Sequence, residues 1–148
     1  MLSYRTTHAI QILDLLQQSK DGLSVTNIRE HFLFLPAGTI ISHIVRQLVI
    51  AKFICNVPAG GSKYRVIPDL NEITLEHLTR AVDDRLVLGA PVGFPYWQAS
   101  YLKTHPHIHK MEQKLADQVT RTLNSITVGE LLKQPDKEGK CREKHLTA

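Results

Sequence analysis

A mostly helical chain carrying one small β-hairpin is the fold class this sequence predicts, on three observations. Several stretches repeat apolar residues at the three-to-four-residue spacing of a helix. Two β-like runs, Phe53-Ile54-Cys55-Asn56-Val57 and Tyr64-Arg65-Val66-Ile67, flank the turn-forming loop Pro58-Ala59-Gly60-Gly61-Ser62-Lys63. A long, thin apolar seam then runs through residues 106–126. Elements in the order helix, helix, helix, hairpin make a winged helix-turn-helix layout, here with a long helix appended. The expected divisions are residues 1–84 for the winged domain and 85–105 for an irregular loop. Residues 106–134 supply the long helix and a short terminal one, and 135–148 a tail.

The first helix can be capped by Thr6 or Thr7, with Ala9, Ile12, Leu13 and Leu16 on one apolar face and Asp21-Gly22 ending it. A short second helix starts near Thr26 and points Ile28 and Phe32 inward. Residues 33–38 then turn into the third helix, over residues 39–52. There Ile41, Ile44, Val45 and Leu48 form an apolar stripe at i, i+3, i+4, i+7, while Thr39, Ser42, His43 and Arg46 repeat that spacing on the opposite side. The second face is short, hydrogen-bonding and mildly basic, a surface suited to a major groove. Periodicity fits equally well an ordinary packed helix beside a surface hairpin.

After the hairpin, Pro68-Asp69-Leu70-Asn71 connects to a fourth helix capped by Thr74, with Ile73 and Leu78 spaced as a hydrophobic staple, and ending around Asp83-Asp84. Helical periodicity fails over residues 86–105, where Gly89, Pro91, Gly93 and Pro95 alternate with a cluster of Phe94, Tyr96, Trp97 and Tyr101. Such a loop is either a contact surface for a small-molecule effector or protein partner, or a crossover fixed by aromatic packing. Pro106 suits a first helical turn. From it Ile108, Met111, Leu115, Val119, Leu123 and Ile126 make a narrow seam flanked by Lys110, Glu112, Lys114, Asp117 and Arg121. A seam of this kind pairs with a partner helix, making these six residues the candidate dimerisation set, or packs back on its own domain. Thr127-Val128-Gly129-Glu130 reads as a capping box opening a last helix through Leu131 and Leu132, and beyond Pro135 the charged tail is expected to be disordered.

At 148 residues, 43% hydrophobic and 22% charged, the chain has the composition of an ordinary soluble globular protein with room for a core. Its net charge of +4 lies wholly in residues 1–67, where seven Lys/Arg face three acids; residues 68–148 carry eleven of each. That division favours a polyanionic partner for the N-terminal half, although domains that bind nothing acidic also reach this charge. The two cysteines, Cys55 (expected to face the core) and Cys141 (in the tail), form neither a disulfide framework nor a zinc-type spacing. Residues 1–7 lack a signal-peptide core and no uncharged apolar run reaches the ~20 residues of a membrane span, so a cytoplasmic protein without membrane contact is expected.

Enzyme chemistry finds no support. No glycine-rich phosphate loop follows a strand, there is no nucleophile elbow, and Gly60-Gly61 is a turn. His105, His107 and His109 converge on a metal only on an irregular backbone and have no carboxylate or thiol beside them, so neither a metal site nor a cofactor is expected.

Taken together, Tyr4-Arg5-Thr6-Thr7-His8-Ala9-Ile10, Ile44-Val45-Arg46-Gln47-Leu48, Ala59-Gly60-Gly61-Ser62-Lys63-Tyr64-Arg65, Glu72-Ile73-Thr74-Leu75 with Arg80-Ala81-Val82, and Asn124-Ser125-Ile126-Thr127-Val128-Gly129-Glu130-Leu131 resemble the winged-helix transcription regulators typified by IscR, NsrR and CymR. The resemblance covers residues 3–133. It implies a homodimer with crossed C-terminal helices, recognition helices in successive major grooves of double-stranded DNA, and wings reaching the minor groove. Carried onto this chain, Thr39, Ser42, His43 and Arg46 would meet bases, and Arg5, Lys63 and Arg65 phosphates. Thr26 and the wing residues Gly60, Gly61 and Ser62 complete the contact set. The departures are specific. Pro58 stands where such wings carry an Arg, Val49 and Ile50 stand where the recognition helix is usually basic, and no cysteine lies between Ala81 and Leu123, where cluster-binding members have three. The expectation is a sequence-specific, dimeric DNA-binding regulator, a repressor or an activator with repression the favoured reading, that uses no iron–sulfur cluster. The alternative is a protein-interaction module on the same frame that has lost DNA reading.

Overall fold

The computed structural model describes residues 2–32, 38–58, 61–83 and 105–133, so the irregular loop, the tail and Cys141 lie outside the described residues. Helix α1 (Tyr4–Gln18) starts earlier than expected. Its cap is Ser3, whose Oγ accepts from the Thr6 backbone N–H at 3.2 Å. Thr6 and Thr7 sit inside the first turn, and the Thr7 hydroxyl donates back to the Ser3 carbonyl at 3.1 Å. The same hydroxyls that can cap a helix can also bond back to the preceding turn, so residue type alone places the start one turn late. The end differs too: α1 stops at an extended Ser19, and Gly22 serves another purpose. It adopts φ +75° under the backbone of the hairpin, where an added Cβ would lie 2.7 Å from the Tyr64 carbonyl oxygen.

That close approach places a strand the sequence did not announce. β1 (Leu23–Ser24) pairs antiparallel with β3 (Lys63–Val66), Leu23 opposite Tyr64, and β3 pairs in turn with β2 (Ile54–Asn56) in a sheet of order β1-β3-β2. Ser24 then caps α2 (Val25–Glu30) in a capping box with Asn27. Helix α3 (Gly38–Ile50) buries Ile41, Ile44, Val45 and Leu48, the stripe expected of it, against α1, α2 and α4. It ends two residues short of Lys52, and Lys52 itself turns the chain with φ +61°. Its N–H bonds the Val49 carbonyl and that of Phe53 the Leu48 carbonyl, both at 3.0 Å, a Schellman closure made without glycine. Strand alternation corrects Cys55. Ile54 is buried, so Cys55 points to the outward face, opposite exposed Arg65 in the register.

Helix α4 (Leu75–Val82) has Thr74 as its cap, accepting from the His77 N–H at 3.2 Å, and buries both members of the staple, Ile73 and Leu78. Helix α5 (Pro106–Asn124) opens on its proline, and α6 (Val128–Lys133) follows. The junction between them is riveted to the winged domain. The Leu75 N–H bonds the Ile126 carbonyl (2.9 Å), the Val128 N–H the Ile73 carbonyl (2.8 Å) and the Gly129 N–H the Leu70 carbonyl (2.9 Å). Ile126 therefore lies past the end of α5, half-buried where the chain docks. No described helix is long and apolar enough to cross a membrane.

The capping box at α6 forms as expected: Glu130 accepts from the Thr127 N–H at 3.0 Å, and the Thr127 hydroxyl accepts from the Glu130 N–H at 3.2 Å. The Thr127 backbone and side-chain hydrogen bonds hold the Glu130 carboxyl below the ordinary glutamate range. A depressed carboxyl stabilises the fold above its unfolded pKa, and that contribution is lost as pH falls through the folded value. Protection of the α6 amides, taken relative to intrinsic exchange at each pH, is accordingly expected to fall in acid below the ordinary glutamate range, and Glu130→Gln to remove that fall in protection.

Candidate nucleic-acid interface

With one side of α3 locked in the core, the other carries Thr39, Ser42, His43 and Arg46, all exposed. Three and four residues apart on a helix is one face, so these four side chains share a single outward surface. Helix α2 packs against α3 and presents Thr26 and Arg29, both exposed. Arg29 escaped the sequence reading because six residues are too few to display a face. It nevertheless adds a cation in the last turn of α2.

The wing is closed by the Val57 N–H bonding the Lys63 carbonyl at 2.8 Å. Its tip turns through Gly61, at φ +72° with open space around it, and exposes Ser62; Gly60 lies outside the described residues. Lys63 begins β3 half-buried. Arg65 follows two residues on along the same strand, exposed. It borders a cleft at the C-terminal end of α1 together with Lys20. Arg5 lies in the first turn of α1, its Nε 3.4 Å from the Tyr4 hydroxyl. Among the described residues Arg29, Arg46, Lys63 and Arg65 make no ion pair; the pair that forms, Arg80 with Glu76, lies on α4. Cations held apart from carboxylates keep their charge available to a polyanion.

Two apolar side chains interrupt this polar picture. Val49 is 38% and Ile50 64% exposed at the end of α3. On α5, Met111, Leu115 and Val119 are 61%, 56% and 39% exposed, with Ile108 and Leu123 half-buried at either end of that run. His105, His107 and His109 are exposed at its start, and among the described residues no three His, Cys, Asp or Glu side chains are gathered as a metal would need.

The sequence matches no protein-family model and no curated protein. Solved structures do match. The oxidised form of Staphylococcus aureus CymR superposes with a TM-score of 0.63 at 16% identity, over 93% of this chain and 99% of that one. CymR, the global cysteine regulator of B. subtilis, gives 0.63 at 17%, over 92% and 98%. T. potens IscR gives 0.57 at 17%, over 100% and 92%. The likeness extends over nearly the whole of both chains, so the winged helix and its appended long helix form one fold shared with these proteins.

Proposed function

We propose, from a fold shared with CymR and IscR, that this chain is a dimeric, sequence-specific DNA-binding transcription regulator acting as a repressor. The observation that carries the reading is the sorting of α3. Four exposed hydrogen-bonding side chains, one an Arg, share the face opposite a fully buried apolar stripe. A helix so held can enter a major groove as a rigid body, with Arg46 toward guanine edges and Thr39, Ser42 and His43 completing the base contacts. Lys63, Ser62 and Gly61 at the wing, with Arg5, Thr26 and Arg65, are assigned to phosphates and register. Exposed Met111, Leu115 and Val119 on α5 support a two-fold seam with Ile108, Leu123 and Ile126 at its margins. That seam sets two recognition helices one DNA turn apart. Occupying an operator by such a dimer excludes other proteins from it, which is the simplest route to repression.

Retention of random duplexes by the purified chain, followed by sequencing, tests this reading. Enrichment of an inverted repeat is expected. Unselective retention, or none, would favour a second reading, a protein-interaction module, for which Val49 and Ile50 exposed on α3 are the specific support.

Two expectations attach to the proposal. Lys63→Ala should weaken binding to all duplexes alike and reduce the slope of log affinity against log salt by about 1, because one phosphate contact is lost. An unchanged slope would remove Lys63 from the interface. The chain purified without oxygen should hold no iron–sulfur cluster. Such clusters usually take four thiolates, and each chain offers two, Cys55 on the wing and Cys141 in the tail. Stoichiometric iron and acid-labile sulfide would overturn this.

A further inference from the structure

We infer that the open cleft between the end of α1 and the base of the wing is a further phosphate contact for duplex DNA, in which Lys20 extends the basic edge of the wing onto α1. Lys20 is an addition to the contact set above, and the inference rests on the DNA-binding reading.

The polar lining of the cleft is Gln17, Ser19 and Lys20 from the end of α1, with Arg65 from β3. Leu16 and Leu70 close it from beneath at 2% exposure each, so they present almost no apolar surface to a ligand. What the cleft offers is a group of donors: an ammonium, a guanidinium, an amide and a hydroxyl. None of these four side chains makes a hydrogen bond or an ion pair among the described residues. The nearby carboxylates do not line the cleft. Asp14 accepts from Gln18 (3.0 Å) and Asp69 from Asn71 (2.8 Å), while exposed Asp21, next to Lys20 in sequence, offsets part of its charge.

Open, polar and cationic, the cleft suits a phosphate that arrives on a polymer. The guanidinium can grip two oxygens, and the ammonium adds a point charge. The carbonyl end of α1 disfavours an anion beside Ser19 itself, so the phosphate lies on the Lys20–Arg65 side. A free anion brings the same oxygens, but exposed charges alone hold it and salt screens them. Position favours DNA as the source. Lys63 and Arg65 are alternate residues of β3, on one face and roughly 6–7 Å apart, and Lys63 leads to the wing tip. Lys63, Arg65 and Lys20 thus continue one another from the tip to α1, and a nucleic-acid backbone can serve all three.

The test measures binding of the full chain to the selected duplex, and to a random one, as a function of salt. Lys20→Ala should lower the slope of log affinity against log salt by about 1 for each chain bound, with an unchanged thermal transition. Lys20→Arg should keep the slope. So should Lys110→Ala, which removes an exposed cation from α5. Replacing single phosphates by neutral methylphosphonate should reveal a linkage whose neutralisation weakens the unaltered chain severalfold and Lys20→Ala not at all. The contact alone is overturned by an unchanged slope for Lys20→Ala, by an equal fall for Lys110→Ala, or by a phosphate scan to which both chains respond alike. An unchanged slope joined to saturable amide shifts of residues 17–20 and 65 with inorganic phosphate, not reproduced by chloride, would make the cleft a free-anion site instead. Retention of no duplex at all overturns the contact and the DNA reading together. A slope that falls in a chain selecting no sequence would uphold the contact and sink only the sequence-specific reading.

Discussion

If α5 forms the proposed two-fold seam, the unaltered chain is expected to sediment as a dimer and a chain carrying Leu115→Glu and Val119→Glu as a monomer. Both residues lie on α5, exposed in the single chain, at the middle of a seam whose spacing of three and four residues from Ile108 keeps them on one side. Charges placed there cost the monomer little, because water solvates them. In a two-fold seam the same substitutions bring four carboxylates together without partners. Removing the complement of a buried charge typically costs about 3–5 kcal/mol. At ~1.4 kcal/mol per tenfold, the dissociation constant rises by roughly two to four orders of magnitude. The monomer should keep its helical circular dichroism, since the contacts that dock α5 and α6, from Ile126, Val128 and Gly129 to the segment around Leu70 and Ile73, are remote from the changes. It should also bind operator DNA far more weakly, having lost the second half-site. A variant that remains dimeric would place the interface on another surface.

Arg46→Ala should cost about 1–3 kcal/mol of binding to the preferred duplex, between roughly fivefold and 150-fold in affinity. Arg46 is exposed and makes no ion pair among the described residues, so its removal should change folding stability by no more than about 0.5 kcal/mol. Equal loss on preferred and random duplexes would reduce Arg46 to a phosphate contact. Titration by fluorescence anisotropy on both duplexes separates the two outcomes.

The two-faced α3, the Thr74 cap with its Ile73–Leu78 staple and the Thr127–Glu130 box could all be read in the sequence because each is settled within a turn or two of helix. What escaped depends on partners far along the chain or on conformations the residue type does not advertise. β1 is two residues long and exists because Gly22 lets the chain approach Tyr64, some forty positions away in sequence. Lys52 ends α3 in the left-handed region without being glycine. The turn of Cys55 to the outer face follows from the register of β2 on β3, and a single-residue slip would have reversed it. The candidate site divides the same way. The α3 face was visible as a period, whereas the company of Arg65 with Lys20 needed the sheet and α1 in place.

Duplex selection run in parallel on the unaltered chain and on Arg46→Ala tests most directly whether the exposed face of α3 reads bases. The unaltered chain should enrich an inverted repeat with half-site centres about 10–10.5 base pairs, or a multiple of that, apart. The variant should return the same repeat with preference lost at one symmetric pair of positions. An identical motif from both chains, or none from the unaltered chain, would contradict the assignment of α3 as the recognition helix.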